Sequence, residues 1–315
     1  MRVIFFGTPP FAASVLESLI SQRITVAAVV SRPDKSKGRS GTPVPTAVKQ
    51  YIQSQSLHIP LYQPEKCSTP EFASLLKTHN ADLFIVVAYG EIIKQEILDI
   101  PKLGCINIHT SLLPRLRGAA PIQRAIINGD KETGITIMHM VRKMDAGDII
   151  DVCKLDITPE MTFGELEKAM LKATPPLLLK SIQGIENGTA QRTVQDESLV
   201  TLAPKIELED CRINWDLHAE DIHNLVRGVN PFPGAWTVMK LKDEKKRVKI
   251  FKSRVMLVPS SGFAVGTVLN DKANMRVVCG QGLLEILELQ IEGKKLTTVA
   301  EFLRGHSQNQ IEIDI

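Results

Sequence analysis

The chain has 315 residues, 43% hydrophobic and 23% charged, an ordinary globular balance in a chain long enough for two domains. No run approaches the ~18 apolar residues of a membrane helix, so no membrane partner is expected, and the short apolar run at the N-terminus reads as a buried first strand, not a signal peptide. Cys67, Cys105, Cys153, Cys211 and Cys279 are scattered and never paired as CxxC, which argues against a disulfide framework or a zinc site and for a reducing cytoplasm. A net charge of +3 is too mild to imply nucleic acid; only local clustering could.

The first half alternates strand and helix patterns. Strands are expected at 2–6, 24–31, 83–88, 105–109, 134–141 and 149–155, with helices at 11–21, 44–54, 70–79 and 119–128 between them. Short connections between alternating strands and helices imply an α/β fold with a doubly wound, Rossmann-like, mostly parallel sheet. The turn after the first strand, Gly7-Thr8-Pro9-Pro10, is not GxGxxG, so a nicotinamide dehydrogenase is poorly supported. Residues 32–43 mix Gly, Ser and Pro with four basic side chains against one acid. Such a loop is either a solvated linker or a phosphate-binding segment that orders on contact.

Residues 104–123 carry the richest chemistry. On a strand over 105–109, side chains two apart share a face, so Asn107 and His109 project together. An amide beside an imidazole at a strand end suits an oxyanion donor next to an acid/base group, or a structural Asn and a surface His. Asp145 and Asp148 are turn formers on composition. His139, between Met138 and Met140, is a competitor for the acid/base role and reads as an outward-facing strand residue. Thr162-x-x-Glu165 has capping-box spacing before a helix over 163–186, which Pro175 and Pro176 should break or kink. Residues 189–208 read as an irregular linker.

The second half has a different rhythm. A helix over 215–227 bears His218 and His223, and the Asn230-Pro231-Phe232-Pro233-Gly234 turn follows. Short strands at 235–240, 248–257, 266–269, 275–279 and 283–290 suggest a small β-barrel. Residues 240–254 hold eight Lys or Arg against two acids, so strand alternation could gather one basic face.

Asn107-x-His109, Ser111-Leu112-Leu113-Pro114 and Arg117-Gly118-Ala119-Ala120-Pro121-Ile122 together resemble the folate-dependent formyltransferase family. So do Gly7-Thr8-Pro9-x-Phe11, Asp145-x-Gly147-Asp148 and the Asn-Pro-x-Pro-Gly-Ala-Trp turn, so the resemblance spans nearly the whole chain. It implies a catalytic domain over 1–189, a linker over 190–207 and an OB-like, tRNA-binding barrel over 208–315. The implied reaction, in the tRNA-specific branch, is formyl transfer from 10-formyltetrahydrofolate to the amino group of initiator methionyl-tRNA for translation initiation, by a cytoplasmic monomer without a metal. Asn107, His109 and Asp145 map onto the catalytic positions. Asn107 and a protonated His109 would stabilise the oxyanion, and a carboxylate near His109 would raise its pKa and hold the charged form. Ser111, Leu112, Leu113, Pro114, Val86 and Tyr89 would bind folate. Lys35, Lys37 and Arg39, in a segment resembling the family's inserted basic loop, and Lys245, Lys246 and Arg247 in the barrel would contact tRNA. Leu116 stands where many members carry Trp, which bears on a stacking contact and not on the chemistry. Two alternatives remain: a sugar-nucleotide N-formyltransferase, disfavoured by the basic 240–254 stretch, and a non-catalytic RNA-binding protein, disfavoured by the intact Asn107/His109/Asp145 set.

Overall fold

The computed structural model describes residues 1–36, 41–242, 244–256, 262–271, 273–306 and 311–314. In chain order its first elements are β1 (Arg2–Gly7), α1 (Pro10–Ser21), β2 (Thr25–Val30), β3 (Lys35–Ser36), β4 (Pro43–Val44), α2 (Ala47–Ser54), β5 (Leu61–Tyr62) and α3 (Pro70–Thr78). Then come β6 (Leu83–Val87), α4 (Gln95–Leu98), β7 (Cys105–His109), β8 (Arg117–Gly118), α5 (Pro121–Ile127), β9 (Glu132–His139), β10 (Ile149–Asp156), α6 (Phe163–Glu186) and β11 (Leu202–Ala203). The remainder is α7 (Ala219–Gly228), β12 (Ala235–Leu241), β13 (Glu244–Met256), β14 (Val268–Asn270), β15 (Met275–Val278), β16 (Leu283–Ile291), β17 (Thr297–Thr298), α8 (Val299–Arg304) and β18 (Ile311–Asp314).

Two compact units share these elements. One comprises Met1–Gly118, Thr133–Leu155 and Glu167–Ala203; the other comprises Ala119–Glu132, Asp156–Leu166 and Pro204–Ile315. In the first unit, β1 and β6 are continuous apolar runs buried along almost their whole length, the mark of strands covered on both faces. The sheet order is β10-β9-β7-β6-β1-β2-β5. β1 pairs in parallel with β2 and β6, as do β6 with β7 and β2 with β5, while β7 and β9 run antiparallel. The chain leaves β1 in one direction to β2 and returns on the other side at β6. That reversal makes the carboxyl ends of β1, β6 and β7 the topological switch point, and in open α/β sheets ligands bind in the crevice outside such strand ends.

Three local expectations change. First, α6 runs through Pro175 and Pro176 as one helix of 24 residues. Each interior proline costs about 3 kcal/mol, but Leu166, Met170, Leu177, Leu178, Ile182 and Ile185 are all buried along it. At about 1.5–3 kcal/mol per buried side chain, packing outweighs the two breakers. The Thr162/Glu165 cap at its start forms as the spacing predicts, with Glu165 N–H donating to Thr162 Oγ1 at 3.3 Å and Thr162 N–H to Glu165 Oε2 at 2.8 Å. Second, α7 starts only at Ala219, because Trp215 is drawn into the barrel core, where its indole N–H donates to Thr237 Oγ1 at 3.1 Å. Third, the 193–203 segment is ordered by the first unit: Ile149 and Thr193 bridge in antiparallel fashion, and β11 pairs in parallel with β8.

The second unit is a nearly closed barrel ordered β14-β15-β16-β13-β12-β18, with β17 added to β16; every pair is antiparallel. Its core joins Val248, Ile250, Met275, Val277, Leu284 and Leu289 to the apolar face of α7, including Ile222 and Val226. α5 packs against α7 within this unit, and the buried Arg227 donates to Ile126 O (3.5 Å), Met161 O (3.1 Å) and Asn224 Oδ1 (2.9 Å).

Candidate active site

β7 ends at the crevice, and its alternation sets Asn107 and His109 on one face. Asn107 is half-buried, and its amide has no hydrogen-bond partner among the described residues. His109 is only 5% exposed. Its Nε2 lies 2.9 Å from the Leu116 carbonyl; a carbonyl only accepts, so Nε2 carries the proton. The other nitrogen, Nδ1, faces Asp145 Oδ2 at 3.6 Å, too long for a hydrogen bond. Oδ2 also accepts the Gly118 N–H at 2.8 Å. The three residues that the motif singled out therefore stand together.

Burial pushes the His109 imidazole below its ordinary pKa, and the Arg117 guanidinium adds to this; the Asp145 carboxylate and the Leu116 carbonyl pull the other way. The Asp145 carboxylate acts in the expected direction, but burial is the larger cause and works against the charged form.

The surrounding backbone is strained. Ala88, Leu116 and Asp145 all occupy the left-handed region, at φ of 45°, 60° and 51°, at about 1–3 kcal/mol each. Such conformers persist only where neighbours over-determine them. Leu116 is held by its N–H on Thr201 Oγ1 at 2.9 Å, and Asp145 by its carbonyl on Gln195 Nε2 at 2.9 Å. Gly118, at φ +129°, passes so close to Ala203 that an added Cβ would stand 2.6 Å from its carbonyl oxygen.

Of the residues expected at folate, Leu112 and Pro114 are half-buried, while Leu113 is buried with its N–H on Thr136 Oγ1 at 3.1 Å. Ser111 is fully buried and its hydroxyl donates to Arg115 O at 2.7 Å, stapling the loop. Val86 and Tyr89 are buried at the end of β6. The Tyr89 ring meets Phe6 edge-on at 5.5 Å, its carbonyl accepts from Thr8 Oγ1 at 2.8 Å, and its buried hydroxyl has no hydrogen-bond partner among the described residues. His139 lies at the opposite end of the β7–β9 pair, opposite Ile106, and is not brought to His109. Among the described residues no cluster of three or more His, Cys, Asp or Glu is placed to hold a metal ion.

The basic residues sort differently. Lys35 is exposed in the β3–β4 hairpin; Lys37 and Arg39 lie outside the described residues. In the barrel, Lys245 holds Asp314 at 2.8 Å and Lys246 holds Glu244 at 2.6 Å. Arg247 instead lies 4.3 Å over the Trp236 ring, and Arg212 lies 5.7 Å over the same ring. Lys249 donates to Pro233 O at 2.6 Å. Sequence reading missed Arg212, which lies outside the basic stretch; Lys249 lies within it, on the alternation Lys245, Arg247, Lys249 opposite buried Val248 and Ile250.

The formyl transferase family matches residues 1–182, and the formyl transferase C-terminal domain matches residues 205–307. The chain is 55% identical over 313 residues to a methionyl-tRNA formyltransferase of Protochlamydia amoebophila, covering 99% of this chain and 97% of that protein. It is 40% identical over 314 residues to one of Acetivibrio thermocellus, covering 99% of each. Among solved structures, the sugar 3N-formyl transferase WlaRD superposes with a TM-score of 0.65 at 19% identity, covering 94% of this chain and 99% of that one. HypX from Aquifex aeolicus, in complex with tetrahydrofolic acid, gives 0.62 at 18% identity over 96% of this chain and 47% of its own. At those identities the two structures speak for the fold alone. The full-length identities and the two domain matches place the chain in the formyl transferase family, alongside the methionyl-tRNA formyltransferases.

Proposed function

We propose that this protein transfers the formyl group of 10-formyltetrahydrofolate to the amino group of initiator methionyl-tRNA, giving the N-formylmethionyl-tRNA of translation initiation. The observation that carries this reading is the buried His109–Asp145 pair beside the partnerless Asn107 amide, in a chain 55% identical to a methionyl-tRNA formyltransferase over nearly its whole length. The end of β7 suits a folate: Asn107 offers an amide with no partner among the described residues. Leu112 and Pro114 would contribute apolar surface, with Leu113, Val86, Tyr89 and Ser111 acting through backbone groups.

The folate supplies the activated formyl group. Asn107 donates its amide N–H to the negative charge that develops on the formyl oxygen. Because Nε2 of His109 is committed to Leu116, Nδ1 is the nitrogen that exchanges protons. Neutral at rest, it takes the proton shed by the attacking amine. The Asp145 carboxylate, 3.6 Å away, stabilises the imidazolium so formed, and His109 then returns the proton to the leaving folate nitrogen. An aminoacyl ester lowers the pKa of its amine, so the amine needs little help to be neutral.

Residues 1–189 would then be the catalytic domain, 190–207 the linker and 208–315 the tRNA-binding barrel, with Lys35, Lys37, Arg39 and Arg247 on phosphates. Lys245 and Lys246 would have to exchange their carboxylate partners for phosphate. We further propose a cytoplasmic monomer; the five unpaired cysteines fit a reducing compartment. The test is single-turnover formyl transfer to Met-tRNA, comparing initiator with elongator. Fast, initiator-selective transfer is expected; folate binding without transfer to either tRNA would overturn the acceptor.

A further inference from the structure

We propose that Gln195 is the positioning residue that holds Asp145 against His109, an inference resting on the formyl-transfer reading above. Gln195 is 6% exposed and uses its amide on both sides. Nε2 donates to the carbonyls of Asp145 (2.9 Å) and Gly147 (2.7 Å). Oε1 accepts from Arg117 Nε (3.1 Å) and Nη2 (2.7 Å). Reversing the amide would set carbonyl against carbonyl and N–H against guanidinium, so its orientation is fixed by its partners.

One amide therefore ties together the two segments that define the His109 environment. The 145–147 turn carries the carboxylate in its left-handed conformation. The segment entering β8 carries Leu116, whose carbonyl fixes Nε2, and β8 itself carries Gly118, whose N–H fixes Asp145 Oδ2. Gln195 reaches both from a segment anchored at each end. On one side Thr193 bridges Ile149; on the other Arg117 N–H donates to Thr201 O at 2.9 Å, and Leu202 and Ala203 pair with Arg117 and Gly118. Glu197 also reaches Arg117 (2.9 Å) and the ammonium of Lys143 (2.6 Å), but it is exposed and bonds neither the Asp145 and Gly147 carbonyls nor His109, so it serves as a control on the same segment.

The test uses Gln195→Glu and Gln195→Met in the full chain, with Glu197→Gln beside them. Gln195→Glu keeps an acceptor for Arg117 but loses both donors to the turn; Gln195→Met keeps volume and loses everything polar. Gln195→Glu is expected to lower kcat by about 10- to 100-fold, the scale of a misplacement near 1 Å, with KM for folate and tRNA within about 3-fold, while Glu197→Gln stays near wild type. In Gln195→Met the His109 imidazole, followed by NMR, should titrate at lower pH than in wild type because the carboxylate has moved away. Should Gln195→Met fail to fold, Gln195→Glu decides alone. Wild-type kcat in Gln195→Glu, an equal loss in Glu197→Gln, or an unmoved His109 titration would overturn the proposal. An inactive wild type counts instead against the formyl-transfer reading, and the His109 titration then still decides the positioning.

Discussion

The His109 crevice and the outer face of the barrel use polar side chains under opposite conditions. In the first, a nearly buried imidazole, a carboxylate and a guanidinium have their hydrogen-bond partners assigned, on backbone held in left-handed conformations. In the second, the lysines stay in water and pair with nearby acids: Lys240 with Glu312 on the next strand, Lys245 with Asp314 across β12, and Lys246 with Glu244 on its own strand. Burial makes each interaction in the crevice strong and each error costly; exposure makes those on the barrel weak and exchangeable. The first arrangement suits proton transfer, and the second suits a polyanion that can replace the acids.

The sharpest way to break that contrast is His109→Ala, expected to reduce kcat by about 10²- to 10⁴-fold with the circular-dichroism spectrum and melting transition retained. Turnover at the wild-type rate would remove His109 from the chemistry. Gly118→Ala comes next. Its Cβ would press on the Ala203 carbonyl in a conformation that L residues avoid, so a loss of about 1–3 kcal/mol in urea-unfolding stability is expected.

Acid should act through the histidines that the fold withdraws from water. His109, His139 and His223 all have their pKa values lowered, burial being the largest cause in each. The unfolded chain takes up these protons near the ordinary 6.5, before the folded one does. Stability is therefore full above that pH and is lost as pH falls through the lower folded-state values. Melting temperatures recorded from neutral to mildly acid pH should fall, and His109→Gln should flatten the slope.

The smallest effects belong to the barrel. Arg247→Ala should weaken tRNA binding evenly across sequences and reduce the salt slope of log K by about 1. Lys245→Ala, whose ammonium is already neutralised by Asp314, should change the slope less. Equal slopes for the two would mean that pairing within the barrel does not decide which cations are available.

What the sequence made legible follows the range of the forces involved. The alternation of Cys105 to His109 and the long loop motif are local, so Asn107 and His109 could be placed together before any coordinates, and the alternating elements implied the parallel sheet with its appended barrel. The protonation state of His109 was not legible, since nearly complete burial is set by packing from many segments. Nor was Gln195: it meets Arg117 across 78 residues of sequence, in a polar stretch whose composition reads as a linker. The pairing of Lys245 with Asp314 depends on the register of strands 69 residues apart, which charge counting cannot supply. Pro175 and Pro176 do not break α6, because propensity is a weak prior wherever a buried face is long.

The interleaving of the two units has a consequence in time. The chain passes between them at Gly118, Glu132, Leu155, Leu166 and Ala203, so α5 is made early but belongs with α7. The Arg227 contact to the Ile126 carbonyl spans 101 residues. At about 5–20 residues per second, a ribosome takes roughly 5–20 s to deliver α7 after α5. Throughout that interval Ile127, which packs on the barrel core and faces Gly228 of α7, lacks its partners, which leaves this stretch of the nascent chain open to non-native contacts.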